Sequence, residues 1–111
     1  MNELDALLHQ PLRTQLVAFL AGAQEVTFTE LRQSLGVSDG NLESHLKKLI
    51  AADYVGVRKD SGHGRPQTSY FLTASGNAAL QNYVLILQRL LTSNQAVNPT
   101  SIANLTPIYN T

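Results

Sequence analysis

The chain has no cysteine, no net charge and no long apolar run. Without cysteine there is no disulfide, no thiol redox sensor and no cysteine-liganded metal, a composition that also fits an intracellular protein. No segment approaches the roughly 18 to 20 consecutive apolar residues of a membrane-spanning helix. The amino-terminal MNELDALLHQ lacks the basic head and apolar stretch of a secretion signal. The expectation is a cytoplasmic protein with no membrane partner. His9, His45 and His63 have no H-x-x-x-H or similar ligand spacing, so no metal is expected. His45, beside Leu46, reads as a packed helix residue. There is no nucleophile–base pair, no phosphate-binding glycine loop and no pair of carboxylates in a glycine-framed site. No enzyme and no cofactor are expected, which leaves a binding function.

What is present is enough for a core. Of the 111 residues, 43% are hydrophobic, which suits one domain plus a tail. The charge, zero in sum, is unevenly placed. Residues 1–43 hold two basic residues, Arg13 and Arg32, against six acidic ones. Residues 44–73 hold five basic ones (Lys47, Lys48, Arg58, Lys59, Arg65) against Asp53 and Asp60. Beyond residue 73 the only charge is Arg89. A local basic stripe of this kind is an electrostatic footprint for phosphates even on a neutral protein. Its plainer reading is solvated surface.

The stripe begins on a helix. In GVSDGNLESHLKKLIAADY, Gly36 can close one helix and Ser38 can cap the next. Leu42, Leu46, Leu49 and Ile50 fall at i, i+4, i+7 and i+8, one buried face. The opposite face carries Ser38, Asp39, Asn41, Glu43, Ser44, Lys47 and Lys48. Ahead of it, Thr27 and Glu30 have the spacing of a capping box for a short helix that turns Phe28, Leu31 and Leu35 inward. Thr27 to Ala52 therefore spells helix, tight turn, helix.

Other elements surround this unit. Leu4, Leu7 and Leu8 suggest a helical turn before Pro11, which suits the first turn of a helix. That helix turns Leu12, Leu16, Phe19 and Leu20 inward, with Val17 as a second contact, and stops at Gly22. After Asp53 the period shortens. Tyr54–Lys59 and Ser69–Thr73 read as strands, and DSGHGRPQT between them reads as a loop. Thr73 can cap a last helix over 74–92, with Leu80, Tyr83, Val84, Leu87, Leu90 and Leu91 on one broad face and Leu85 and Ile86 off it. A helix apolar on more than one side calls for a partner, and the expected partner is a second copy; the plainer reading is that the extra residues cover the helical core of their own chain.

The fold class is thus α+β, mainly helical: a winged helix-turn-helix, with a three-helix core, a β-hairpin wing and a C-terminal dimerisation helix. The expected organisation is a DNA-binding domain over 1–73, the dimerisation helix over 74–92, and an uncharged tail over 93–111, either flexible or an extended arm along a partner.

The residues also support a family statement. HQPLRTQLVAFL, FTELRQSLGVSDGNLESHLKKL, the A-x-Y-V after the third helix and the L-T-x-x-G-x-x-A-L opening the last one resemble the winged-helix transcriptional regulators of the MarR/ArsR-like group. The likeness covers about residues 9–92, nearest to the small archaeal and bacterial winged-helix DNA-binding proteins. It implies a homodimer that binds double-stranded DNA sequence-specifically and usually represses transcription. The third helix would enter the major groove, and the wing would touch the minor groove or backbone. Carried over residue by residue, the implied DNA-binding positions are Ser38, Asp39, Gly40, Asn41, Glu43, Ser44, Lys47 and Lys48 on the helix. On the wing they are Lys59, Ser61, Gly62, His63, Gly64 and Arg65. Asn41 can pair bidentately with adenine, and Glu43, where many relatives have a small or amide residue, can accept from cytosine N4. Lys47 and Lys48 suit phosphate, and Arg65 a narrow minor groove. No residue pattern indicates a small-molecule effector; its pocket would lie between the wing domain and the dimer helices. The alternative reading is a winged-helix protein-interaction module, favoured by the neutral charge and Glu43.

Overall fold

A computed structural model of the chain describes residues 4–60, 64 and 66–95, with side chains described through Thr92. The order is α1 (Pro11–Gly22), β1 (Val26–Thr27), α2 (Phe28–Leu35), α3 (Asp39–Ala51), β2 (Val55–Asp60), β3 (Gln67–Leu72) and α4 (Ala74–Gln95). Among the described residues no helix is long and apolar enough to cross a membrane.

Local chemistry sets the helix ends. Pro11 opens α1, and the Gln10 side chain accepts from the Arg13 N–H at 2.8 Å. The capping box of α2 is closed in both directions: Glu30 N–H donates to Thr27 Oγ1 at 3.2 Å, and Thr27 N–H donates to Glu30 Oε1 at 2.9 Å. Gly36 closes α2 in the left-handed region at φ 65°. After α3, Asp53 N–H donates to the Ile50 carbonyl and Tyr54 N–H to that of Leu49, both at 2.9 Å. This is a Schellman closure with aspartate, at φ 66°, in the position that usually holds glycine.

The core is formed by Leu8, Leu16, Val17, Leu20, Val26, Leu31, Leu42, Leu46, Leu49, Val55 and Tyr83. Each fully buried leucine contributes on the order of 2 kcal/mol. The helix-turn-helix is thereby clamped between α1, the sheet and α4.

The structure differs from the sequence expectation at several points. On α1, Val17 is fully buried and Phe19 is 38% exposed, because the buried stripe centres on Leu16, Val17 and Leu20. Ile50 lies at the edge of the α3 stripe, 37% exposed. The hairpin gains a third strand: β1 pairs antiparallel with β3, Val26 opposite Tyr70, and the sheet order is β1-β3-β2. A two-residue strand carries no period of its own, so sequence alone does not announce it. Finally, α4 continues past Thr92 to Gln95. Residues 96–111, the rest of the expected tail, lie outside the described residues.

The last helix also divides its apolar residues differently. Tyr83 and Ile86 are buried against their own chain, and Leu80 and Leu87 pack on the same core. Val84, Leu85 and Leu91 are exposed, at 43%, 45% and 54%. Ile86 therefore faces inward rather than lying idle, and Tyr83 belongs to the monomer's core. The outward stripe is Val84, Leu85 and Leu91, with Gln81 and Gln88 between its turns.

Candidate nucleic-acid interface

The outer face of α3 is built by its inner one. Leu42, Leu46 and Leu49 are buried at 0–2% exposure. That fixes the helix's rotation and leaves Asp39, Gly40, Asn41, Glu43, Ser44, Lys47 and Lys48 exposed. Ser38 caps the helix, its side chain accepting from the Asn41 N–H at 3.2 Å. The cap uses an oxygen lone pair, so the hydroxyl hydrogen stays available to an acceptor outside.

Two carboxylates are paired, one at the start of this helix and one on the sheet. Arg32 of α2 meets Asp39 at 2.9 Å, an exposed pair that neutralises the acid at the start of α3. Glu25, just before β1, accepts from Arg58 Nε at 2.8 Å and from Ser69 Oγ at 2.6 Å, so it ties together the bases of β2 and β3. Arg58 and Ser69 are themselves register partners across the hairpin. Glu43, by contrast, makes no ion pair among the described residues. Its charge is felt by Tyr70 on β3, whose hydroxyl is held above its ordinary pKa, first by burial and then by the Glu43 carboxylate. Tyr70 thus stands beside the outer face of α3, with Phe28 against its ring at 6.4 Å between centroids. Sequence reasoning missed it, since a tyrosine in a strand far along the chain carries no local mark of what it faces.

Lys59 is exposed on β2, opposite Thr68. Ser61, Gly62, His63 and Arg65 lie outside the described residues; Gly64 is left-handed at φ 85°. The structure therefore gathers the α3 positions on one face and places Lys59 at the root of the wing.

His45 lies half-buried at the edge of this face, between Asn41 and Lys48 on one stripe of the helix. Its Nδ1 lies 3.0 Å from Arg13 Nη1 of α1. Arginine can only donate, so Nδ1 is the acceptor and the ring is neutral with its proton on Nε2. Burial, Arg13 and Lys48 all lower its pKa from the ordinary histidine value. Among the described residues no group of three or more His, Asp or Glu is arranged to hold a metal. An open groove of about 540 Å³ lies between the end of α1, the hairpin and the start of α4, lined in part by Leu20, Glu25, Arg58, Phe71 and Asn77. Its two charged groups are already paired with each other.

The matches to known proteins agree with this geometry. A family model described as "Winged helix DNA-binding domain" matches residues 12–91. A curated relative, an uncharacterised protein of Methanocaldococcus jannaschii, is 33% identical over 84 residues, covering 76% of this chain and 91% of that protein. Among solved structures, the transcriptional regulator homologue protein from Pyrococcus horikoshii OT3 superposes with a TM-score of 0.75 at 24% identity, covering 80% of this chain and 88% of that one. MepR of S. aureus, solved in complex with DNA, superposes with a TM-score of 0.67 at 17% identity, covering 91% and 78%. A mutant MarR from E. coli gives 0.68 at 21%, covering 86% and 71%. At these identities the solved structures speak for the fold, and the fold is that of MarR-type regulators. With the family model spanning α1 to α4 and a full-length relative alongside it, this chain belongs to the winged helix DNA-binding domain family.

Proposed function

We propose that this chain is a transcriptional regulator that binds double-stranded DNA sequence-specifically as a homodimer and acts chiefly by repression. The observation that carries the reading is the outer face of α3. Asn41, Ser44, Lys47 and Lys48 are exposed together on a helix whose rotation is fixed by three buried leucines. In this reading residues 1–73 bind DNA, α4 joins two copies, and the two α3 helices enter successive major grooves. Ser38, Gly40, Asn41, Glu43 and Ser44 approach base edges. Lys47, Lys48 and Lys59 take phosphates, and Ser61, His63 and Arg65 belong to the wing that follows. Asp39 is assigned a different part: paired with Arg32, it orders the start of the helix rather than reading a base.

The test begins with duplexes enriched by the protein from a random-sequence pool, titrated at several salt concentrations. Affinity should fall steeply with salt. Lys48→Ala should reduce the logarithmic salt slope by about one, and Asn41→Ala should cost about 1–3 kcal/mol and relax the preference at one base pair. No enrichment and no binding at low salt would sink the regulator. Glu43, unpaired with any described cation, would then favour a protein-binding module.

A further inference from the structure

Residues 5–13 form a strap that touches α3, the turn after it and α4 at once. Asp5 accepts from the N–H groups of Leu7 and Leu8 at 2.9 and 3.3 Å, and its other oxygen accepts from the Tyr54 hydroxyl at 2.5 Å, just beyond α3. Arg13 Nε donates to the Leu7 carbonyl at 2.7 Å, while its Nη1 donates to His45 on α3 at 3.0 Å. His9 Nδ1 and the Tyr83 hydroxyl on α4 are 2.8 Å apart. The strap thus bonds to α3 in its middle, to the residue past its end, and to the helix assigned to dimerisation.

The geometry points to Arg13 and His45 as positioning residues for DNA recognition: the guanidinium, braced on the strap, holds the neutral imidazole and so fixes α3 relative to α4. This rests on the DNA-binding reading above. Asn41, His45 and Lys48 share one stripe of α3, at i, i+4 and i+7. A shift at His45 therefore turns the proposed base reader and the proposed phosphate contact together. Two recognition helices must keep a fixed separation to meet two half-sites, and the strap joins the helix that reads to the helix that sets that separation. Arginine's planar fork supplies both bonds from one rigid group.

Protonation ends the arrangement, because an imidazolium has no acceptor to offer Arg13. The charged groups that act on His45 are Arg13 of α1 and Lys48 of its own helix, both cationic. In the strap the Asp5 carboxylate is engaged by Tyr54, and His9 by Tyr83. The ring is therefore neutral near neutral pH and titrates below the ordinary histidine value. Positioning and simple charge give opposite signs. If His45 only added charge near phosphates, acidification would tighten DNA binding; if it positions α3, acidification weakens it.

The experiment measures affinity for the enriched duplex from about pH 7.5 to about pH 4.5, reaching about two units below the ordinary histidine value, for wild type, His45→Gln and His45→Ala. One pH unit below the His45 pKa, about one molecule in eleven keeps the neutral ring, so wild-type affinity should fall about tenfold. His45→Gln, whose amide oxygen can accept from Arg13 but does not titrate, should match wild type near neutrality and stay flat on acidification. His45→Ala should be weaker throughout and also flat. Wild-type affinity that is flat or rises on acidification overturns the proposal, as does the same pH dependence in His45→Gln, which retains the other two histidines. An NMR titration of the ring without DNA separates the two readings. A His45 pKa at or above 6.5 that does not move in Arg13→Gln removes the bond whatever the DNA result. A lowered pKa in a protein that binds no DNA keeps the bond, but overturns its role in recognition together with the regulator.

Discussion

A methyl group added at Gly76 would sit 2.2 Å from the Tyr54 carbonyl oxygen, and one added at Gly56 would sit 2.3 Å from the edge of the Phe71 ring. The two clashes differ in what can yield. Tyr54 O belongs to a backbone already committed: it accepts from the Thr73 N–H at 3.0 Å, where β3 hands over to α4. Phe71 is a half-buried side chain that can swing away. Gly76→Ala should therefore cost about 2–3 kcal/mol despite alanine's better helix propensity, and Gly56→Ala less than about 1 kcal/mol. Chemical denaturation of the two variants checks the ranking; equal losses would contradict it. Beside this contact, the Tyr54 hydroxyl is pushed up to about 12, first by its hydrogen bond to Asp5, then by burial and by the Asp5 charge. The folded state thus holds this proton where the unfolded chain releases it. Tyr54 contributes stability in full below pH 10 and loses it as pH rises toward about 12. Tyr54→Phe should be less sensitive than wild type over that alkaline window, read by denaturant midpoints at each pH.

At the scale of the element, Ser38 has two roles that one substitution can separate. It caps α3, and it lies on the face proposed to meet DNA. Ser38→Asp should keep the cap, since aspartate serves there as well as serine and suits a helix start, while placing a carboxylate toward phosphates. The thermal midpoint should stay near that of wild type while DNA affinity falls severalfold; Ser38→Ala should instead lose about 1 kcal/mol of stability. A stable Ser38→Asp variant with undiminished binding would take Ser38 off the interface. That α3 begins at this residue was legible in the sequence, as were the capping box of Thr27 and Glu30, the left-handed Gly36 and the proline start of α1. Each is settled within one turn of chain by which side chain can reach which N–H. The Schellman closure at Asp53 was less so, because aspartate only tolerates what glycine prefers. β1 stayed hidden, for its two residues become a strand only when β3 arrives beside them. The pairs Arg32–Asp39, Glu25–Arg58 and Arg13–His45 were hidden for the same reason: charge counts give their members but not their distances.

For the whole molecule, the proposed dimer rests on α4. Sequence periodicity shows a helix apolar on more than one side, and the structure divides those sides differently, with Tyr83 and Ile86 inward and Val84, Leu85 and Leu91 outward. Tyr83 and Ile86 anchor the helix to its own chain, so Tyr83→Ala should destabilise the monomer by about 3 kcal/mol or more, as large-to-small core changes do. Val84, Leu85 and Leu91 carry no such duty, being exposed on the opposite stripe. In the proposed dimer this stripe meets its own copy, a surface that a closed two-fold makes self-complementary. The Val84→Lys/Leu85→Lys double variant should keep wild-type far-UV circular dichroism while sedimenting as a monomer. Its DNA binding should also change in kind. A monomer engages one half-site, so affinity for the enriched duplex should drop by the gain that linkage of two sites supplies, about a hundredfold or more. The dependence on the spacing between half-sites should disappear with it. A double variant that remains dimeric would move the interface elsewhere on the molecule, and a folded monomer that binds as tightly as wild type would show that one copy of α3 is sufficient.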